Sequence, residues 1–441
     1  MADEAFDSIV VGAGAAGLFA ALAARGALRA DGSCAAPGRG APRVLLVDSQ
    51  ERVGRKILVS GGGRCNVTNA SVTERDFDTG SPAVVRSVLA GFPPASVRAF
   101  FEGRGVPLAE EPLGKLFPRD GNARSVLDAL LGAVRDAGVA CAFGEEAGDI
   151  ALEDGGWRVG ARRARRAVIA TGGKSLPQTG STGCGYEIAR GLGHALVPPV
   201  PALAPLHCAA PPGPPGVTVP AILSVEDGSG RARRRAAGSL LVTHKGVSGP
   251  AALDASTEVA RRIASAEPFL VRADLWTLAD PAGPFGSYLR LPKLPGACLA
   301  DAPPPAGAGA VEEFLVSAAR RSPRATVGAA LAERVPRRLV EALVPRHARA
   351  LPALSRAERR AAAEAMTALD LRVQATGGFD RAEVTAGGVP LGELDRRTLE
   401  SRKAPGLHFC GEVCDATGRL GGFNFQWAWS SGTVAGRASA R

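Results

Sequence analysis

The chain has 441 residues, 46% hydrophobic and 22% charged, with a net charge of +10 at pH 7. That length exceeds one ordinary core, so two or three domains are expected, and no apolar run approaches the roughly 20 residues of a membrane span. The positive balance comes mostly from Arg scattered among Ala, Gly and Pro, which reads as compositional bias, so no nucleic-acid partner is expected.

The N-terminus, from Met1 to Asp7, leads straight into a strand and leaves no room for a signal peptide. A cytoplasmic location is expected, or an organelle interior if a transit peptide has been removed. The eight cysteines include no C-x-x-C pair, so neither a metal site nor a redox disulfide is indicated.

Residues 8–11 read as a buried parallel strand, 12–17 as a glycine turn and 18–25 as a helix. An inserted Gly/Ala/Pro loop, 26–43, separates them from a second strand, 44–47, that ends at Asp48. Asn122 or Asp120 is placed to cap a helix, and strands are expected at 138–143, 157–159 and 167–170. The basic runs at 162–166 and 231–235 are expected in solvated loops beside strands. Residues 1–196 thus form a β/α region. Residues 197–309 read as a β-rich domain with strands near 219–225 and 239–243, ending in Pro/Gly/Ala loops from 279 to 309. Residues 310–368 read as helical, and 369–441 return to strand and glycine signals before a final helix.

Gly12-Ala13-Gly14-Ala15-Ala16-Gly17 is a G-x-G-x-x-G turn between a strand and a helix. Its glycines permit a tight turn, backbone approach to a diphosphate and close helix–strand packing, with the phosphate on the helix N-terminus. Asp48, ending the second strand, is the acidic residue for the ribose hydroxyls; the 26–43 loop places it beyond the usual ~20-residue interval. An acid there disfavours a 2′-phosphate, which leaves NAD or FAD.

Residues 53–69, VGRKILVSGGGRCNVTN, combine three consecutive glycines with Arg55, Lys56 and Arg64. Such backbone approaches a flat or charged ligand closely. Thr171 and Gly172 follow a buried strand, and residues 406–412 form another strand leading to Gly411 and Glu412. The stretch from Gly421 to Trp429 opens the last helix, whose N-terminus would stabilise negative charge on a reduced flavin.

The motifs GAGAAG, GRKILVSGGGRCNVTN, ATGGKSLPQTGSTGCGY, THKGVSGPAAL, AEVTAGGV and GLHFCGEVCDATGRLGGFNFQWAWSSG, spanning Gly12 to Gly432, resemble the aminoacetone-oxidase-like, or BaiN-like, FAD-dependent oxidoreductases. The resemblance implies an α/β fold in which a Rossmann-like FAD-binding domain with a parallel sheet is interrupted by a β-barrel-like domain carrying a helical subdomain. It implies that Gly12, Gly14, Gly17 and Asp48 hold the ADP half of FAD. Arg55, Lys56 and the 61–66 loop (Gly62, Gly63, Arg64, Cys65, Asn66) would line the diphosphate and ring. Glu412 would meet the ribityl chain, and Gly422, Asn424 and Gln426 would lie near the ring. Two departures fall near this site: Cys184 replaces a family Asp, and Asp415-Ala416-Thr417-Gly418-Arg419-Leu420-Gly421-Gly422 replaces D-x-D-G-P-T-G-G.

The expected activity is NAD(P)H-driven reduction of an activated C=C bond in a small organic substrate, by hydride transfer through the flavin. NADH or NADPH would approach the flavin directly, because the sequence has one dinucleotide turn. Amine oxidation, RNA modification and non-catalytic flavin binding are the alternatives. Cys65, His244 and Lys245 are the candidates for catalytic roles, with packing under the ring favoured for Cys65. Trp427 and Trp429 are expected to face the core or form a stacking wall.

Overall fold

The computed structural model describes residues 5–283, 286 and 302–441 and divides into two compact units, Met1–Val200 with Glu383–Arg441, and Pro201–Ala382. Residues 1–4 and most of the 279–309 stretch expected as loops lie outside the described residues.

The first unit contains β1 (Ala5–Val11), α1 (Ala15–Ala24), β2 (Val44–Asp48), β3 (Thr68–Asn69), β4 (Leu108–Glu111), β5 (Lys115–Pro118), β6 (Ala140–Phe143), β7 (Arg162–Ile169), β8 (Leu407–Phe409) and α2 (Phe423–Ser439), with shorter elements between them. Strands β6, β2, β1, β7 and β8 pair in that order, all parallel. Ile9, Val10, Leu46, Val168, Ile169 and Leu407 are wholly enclosed, as a parallel sheet covered on both faces requires. An antiparallel hairpin, Ile150–Glu153 and Gly156–Val159, adds to the start of β7. The fold is a Rossmann-like α/β fold.

α1 begins at Ala15, three residues earlier than expected, so half of the glycine turn is already helical. The basic run at 162–166 is also not a loop. It is the first part of β7, where alternation turns every second residue outward. Arg162 pairs with Glu145, Arg163 with Glu153 and Asp154, and Arg165 with Asp7. The expected loop fails because solvated arginines with acidic neighbours suit an exposed strand face equally well. Arg233 to Arg235 lie in a strand for the same reason.

α2 packs on α1 through glycines: a Cβ on Gly432 would overlap the Ala16 carbonyl oxygen, and one on Gly436 the Ala20 carbonyl oxygen. The matching increments mean that the helices run in the same direction. The first nine residues of α2 therefore project about 13 Å past the start of this contact.

The second unit is built on an antiparallel seven-stranded sheet, in the order Leu369–Asp370, Phe269–Asp274, Thr218–Asp227, Ala232–Thr243, Gly246–Ser248, Leu206–Cys208, Val373–Thr376. Its two edge strands are neighbours in sequence, so the sheet curls until its edges approach, as in a barrel. A 15-residue helix, Pro250–Ala264, packs within this β-rich region. Its Pro at the first turn and Arg261 and Arg262 in the last are ordinary helix signals that strand-like neighbours obscured. Helices Gly307–Arg321, Val327–Leu331, Arg337–Leu343 and Arg356–Thr367 follow. Among the described residues, no helix is long and apolar enough to cross a membrane.

Candidate functional site

Four segments of the first unit converge around the start of α1. Gly12 turns with φ +104°, and a Cβ there would lie 2.5 Å from the Ala170 carbonyl oxygen, so β1 and β7 close tightly. A Cβ on Gly17 would overlap the Gly12 carbonyl oxygen, whereas Gly14 has nothing within 4 Å. Open space thus faces Gly14, at an N-cap that no side chain caps. Asp48 accepts the Ala13 amide at 2.6 Å and the Gln50 amide at 2.8 Å, which ties the end of β2 to the turn.

The 61–66 segment follows a short helical turn from Arg55 that the sequence reading missed. Gly61, Gly62, Gly63 and Cys65 all have left-handed φ, of 56°, 69°, 84° and 59°. Successive residues of this kind turn their amides to one side, where an anion or a ring edge can be met. Arg55 and Arg64 are exposed; Arg64 pairs with Glu111 at 2.6 Å and lies over the Phe117 ring. Cys65 is wholly buried, and burial pushes its thiol up to about 12. Burial thus disfavours its thiolate and supports packing over nucleophilic attack.

Lys56 donates to Glu412 Oε2 at 2.8 Å and to Ser175 Oγ at 2.8 Å. Glu412 Oε1 accepts the Thr385 amide at 2.8 Å, and Thr385 Oγ1 accepts the amides of Lys174 and Ser175. A Cβ on Gly173 would lie 2.5 Å from Glu412 Oε1, so the 171–175 backbone lies directly against this cluster. The sequence reading found Lys56 and Glu412 but not Ser175 and Thr385, whose hydroxyls carry no spacing signal.

Gly411 packs on Ala16 and accepts the Trp427 indole N–H at 2.9 Å, while the Trp429 indole N–H donates to Val67 at 2.8 Å. Both tryptophans are buried, so they fasten the loops from behind. Asn424 clamps both backbone groups of Gly418 at 2.8 Å. Gln426 is a correction. It is wholly buried, its Oε1 accepts Thr68, and its Nε2 donates to Phe92 and Ser430. With these groups already used, it braces α2 from inside and does not face a ligand.

The residues present fit a flavin dinucleotide. Asn66 Oδ1, Thr171 Oγ1 and Thr417 Oγ1 are buried with no partner among the described residues; buried polar atoms are normally satisfied, and all three lie in the converging segments. A Cβ on Gly422 would lie 2.9 Å from Asn66 Oδ1, and Gly422 opens α2 without a side-chain cap. Gly172 adopts φ 74° beside Thr171.

His244 and Lys245 sit exposed at a hairpin tip of the second unit. Cys184 is exposed and begins a short helix, lining a cavity of about 200 Å³ with Lys174, Tyr186, Glu187 and Arg190. No metal cluster occurs among the described residues. Sequence reasoning also missed His194, whose Nδ1 lies 2.7 Å from Glu393 and whose Nε2 lies 2.7 Å from Ser401 Oγ. Ser401 is buried and its oxygen already accepts the amides of Lys403 and Ala404, so this alignment is a structural brace and not a hydrolytic centre.

The model of the HI0933-like protein Rossmann domain matches residues 6–438. The ribosomal RNA dihydrouridine synthase of Escherichia coli is 34% identical over 97% of this chain and 96% of its own length. The 3-dehydro-bile acid delta(4,6)-reductase of Clostridium scindens is 32% identical over 98% of each chain. The Haemophilus influenzae ribosomal RNA dihydrouridine synthase is 28% identical over 96% of each. With the parallel sheet, the glycine turn and the unfilled polar atoms already described, the chain belongs to the HI0933-like family and is an FAD-dependent oxidoreductase.

Proposed function

We propose that this enzyme reduces a carbon–carbon double bond conjugated to a carbonyl, drawing its electrons from NADH or NADPH. The carrying observation is that two relatives above 30% identity, matched over nearly their whole length, are named for saturating a ring C=C of this kind. When bound, FAD supplies the hydride-transfer chemistry that no side chain provides. The 12–17 turn and the uncapped start of α1 would hold the diphosphate, Asp48 the ribose, and Glu412, oriented by Lys56, Ser175 and the Thr385 amide, the ribityl hydroxyls. Asn66, Thr417 and the start of α2 would receive the ring. Burial pushes the Tyr186 hydroxyl up, so it stays protonated, with its oxygen 3.5 Å from the Glu412 carbonyl.

A uracil ring within RNA is the substrate to test first, and a small enone the second. Two relatives named as ribosomal RNA enzymes favour this order. Against the reading of the charge as evenly scattered bias, the Pro201–Ala382 unit carries 23 Lys and Arg against 16 Asp and Glu, a surplus of 7 out of the chain's 10. Basic surplus attracts a polyanion in a salt-dependent way. Anaerobic mixing with NADH and NADPH tests the electron donor, and loss of neither spectrum would sink the reductase reading. Incubation with unmodified ribosomal RNA or with a conjugated steroid ketone then separates the substrates; saturation of neither class removes the C=C assignment.

A further inference from the structure

The hairpin β4–β5 reaches the flavin segments through β3. Lys115 pairs across the strands with Asn69 on one side and Glu111 on the other. Because side chains alternate, Lys115, Phe117 and Asn69 share one face. Asn69 donates from that face to the carbonyls of Leu113 at 3.0 Å and Gly421 at 3.1 Å, immediately before α2. Phe117 Cε1 lies 3.0 Å from where a Cβ on Gly61 would be. The Arg64 guanidinium lies 4.1 Å and the Lys115 ammonium 5.4 Å from the same ring's centre.

The Lys115 side chain is only 7% exposed, and its one ion-pair partner among the described residues is Glu111, at 3.5 Å. Glu111 is held more closely by Arg64, at 2.6 Å. Two cations therefore share one carboxylate, and the more deeply buried cation has the weaker contact. Burial holds the Lys115 ammonium below the usual lysine range, against the pull of Glu111. As packing this arrangement is poor, since an apolar residue of similar size would avoid the desolvation. A buried cation that shares its carboxylate acts with the remaining field on whatever lies nearby. Here that is the left-handed 61–65 turn and the uncapped start of α2.

We propose that Lys115 balances the negative charge that a flavin seated against the 61–65 turn acquires on reduction. Hydride from a reduced nicotinamide adds two electrons and one proton to the ring, leaving one negative charge on it; the nicotinamide is oxidised by the same two electrons. Lys115 meets that charge without giving up a proton, and Glu111 sets how much of the lysine's field remains. The assignment rests on FAD as cofactor and not on the substrate, so its failure leaves the conjugated C=C reading standing.

The test uses the FAD-loaded protein and two readouts apart from turnover: the flavin reduction potential, and affinity for sulfite, whose flavin adduct is also an anion. Lys115→Met is expected to lower the potential and weaken sulfite binding about tenfold, a change of about 1.4 kcal/mol, with oxidised FAD still bound. Lys115→Arg should restore most of both. Glu111→Gln should shift both readouts in the opposite direction, and it decides the matter if Lys115→Met does not fold. Unchanged potential and sulfite affinity in Lys115→Met, or in Glu111→Gln, overturns the proposal.

Discussion

The Lys56 ammonium lies 2.8 Å from Glu412 Oε2, joining the helical turn after β2 to the loop after β8 across 356 residues of sequence. Both side chains are about three-quarters enclosed, and Glu412 also gathers Ser175 and the Thr385 amide. Removing one partner leaves a partly desolvated charge, which costs more than the pair contributes. Lys56→Met is expected to lose about 1–3 kcal/mol of stability and to release FAD more readily. Denaturant melts and flavin fluorescence titration measure the two effects; an unchanged midpoint and FAD affinity would refute this role.

Gly14 and Gly17 should respond differently to the same methyl group. Gly17→Ala places a Cβ inside van der Waals reach of the Gly12 carbonyl oxygen, so the turn cannot close and little folded protein is expected. Gly14→Ala meets no protein atom within 4 Å and has an ordinary φ of −80°. It should fold with a melting temperature close to the parent's while binding FAD at least about tenfold more weakly, because its methyl occupies the space facing the helix N-terminus. Tight FAD binding by Gly14→Ala would show that the diphosphate lies elsewhere.

His408 is buried, with Nδ1 3.0 Å from the Thr398 carbonyl and Nε2 without a partner among the described residues. Burial lowers its pKa from 6.5. The unfolded chain therefore binds the proton first as pH falls, and the stability this group contributes is present above about pH 6.5 and lost below it. His408→Asn should flatten the fall in stability between pH 7.5 and 5. Urea melts at several pH values would expose an error if the slope is unaltered.

Brief alkylation of the native protein should modify Cys184, which is exposed, and spare Cys65, Cys410 and Cys414, which are buried with their thiols pushed up. Peptide mapping reads this directly. Cys65→Ala should keep FAD and turn over within about threefold of the parent, since a protonated buried thiol supplies no nucleophile; loss of turnover with FAD retained would reinstate Cys65 as catalytic.

The parts legible in the sequence were those where glycine does something no other residue can. Gly12, Gly17 and the 61–63 run announce close backbone approach, and Asp48 is recognisable from its place at a strand end. Lys115 was not legible, because nothing in the residues around it marks a lysine beside Leu116 and Phe117 as buried. Ser175, Thr385 and the His194–Ser401–Glu393 brace depend on contacts across some 200 residues, for which one sequence holds no periodicity. Gln426 went wrong for a related reason: its position near Gly422 is correct, but helix rotation turns its amide toward Phe92 and Ser430. The helix Pro250–Ala264 was missed for another reason, the strand-like runs on either side of it.

The glycine seam between α1 and α2 has a consequence for how the protein is made. Ala16 and Ala20 leave the ribosome 416 residues before Gly432 and Gly436, the surfaces that cover them. Contacts of such long sequence separation form late, and a partly covered first unit exposes apolar helix and sheet meanwhile. The dinucleotide turn is thus translated long before the helix that completes it, so capture of FAD should await synthesis of α2.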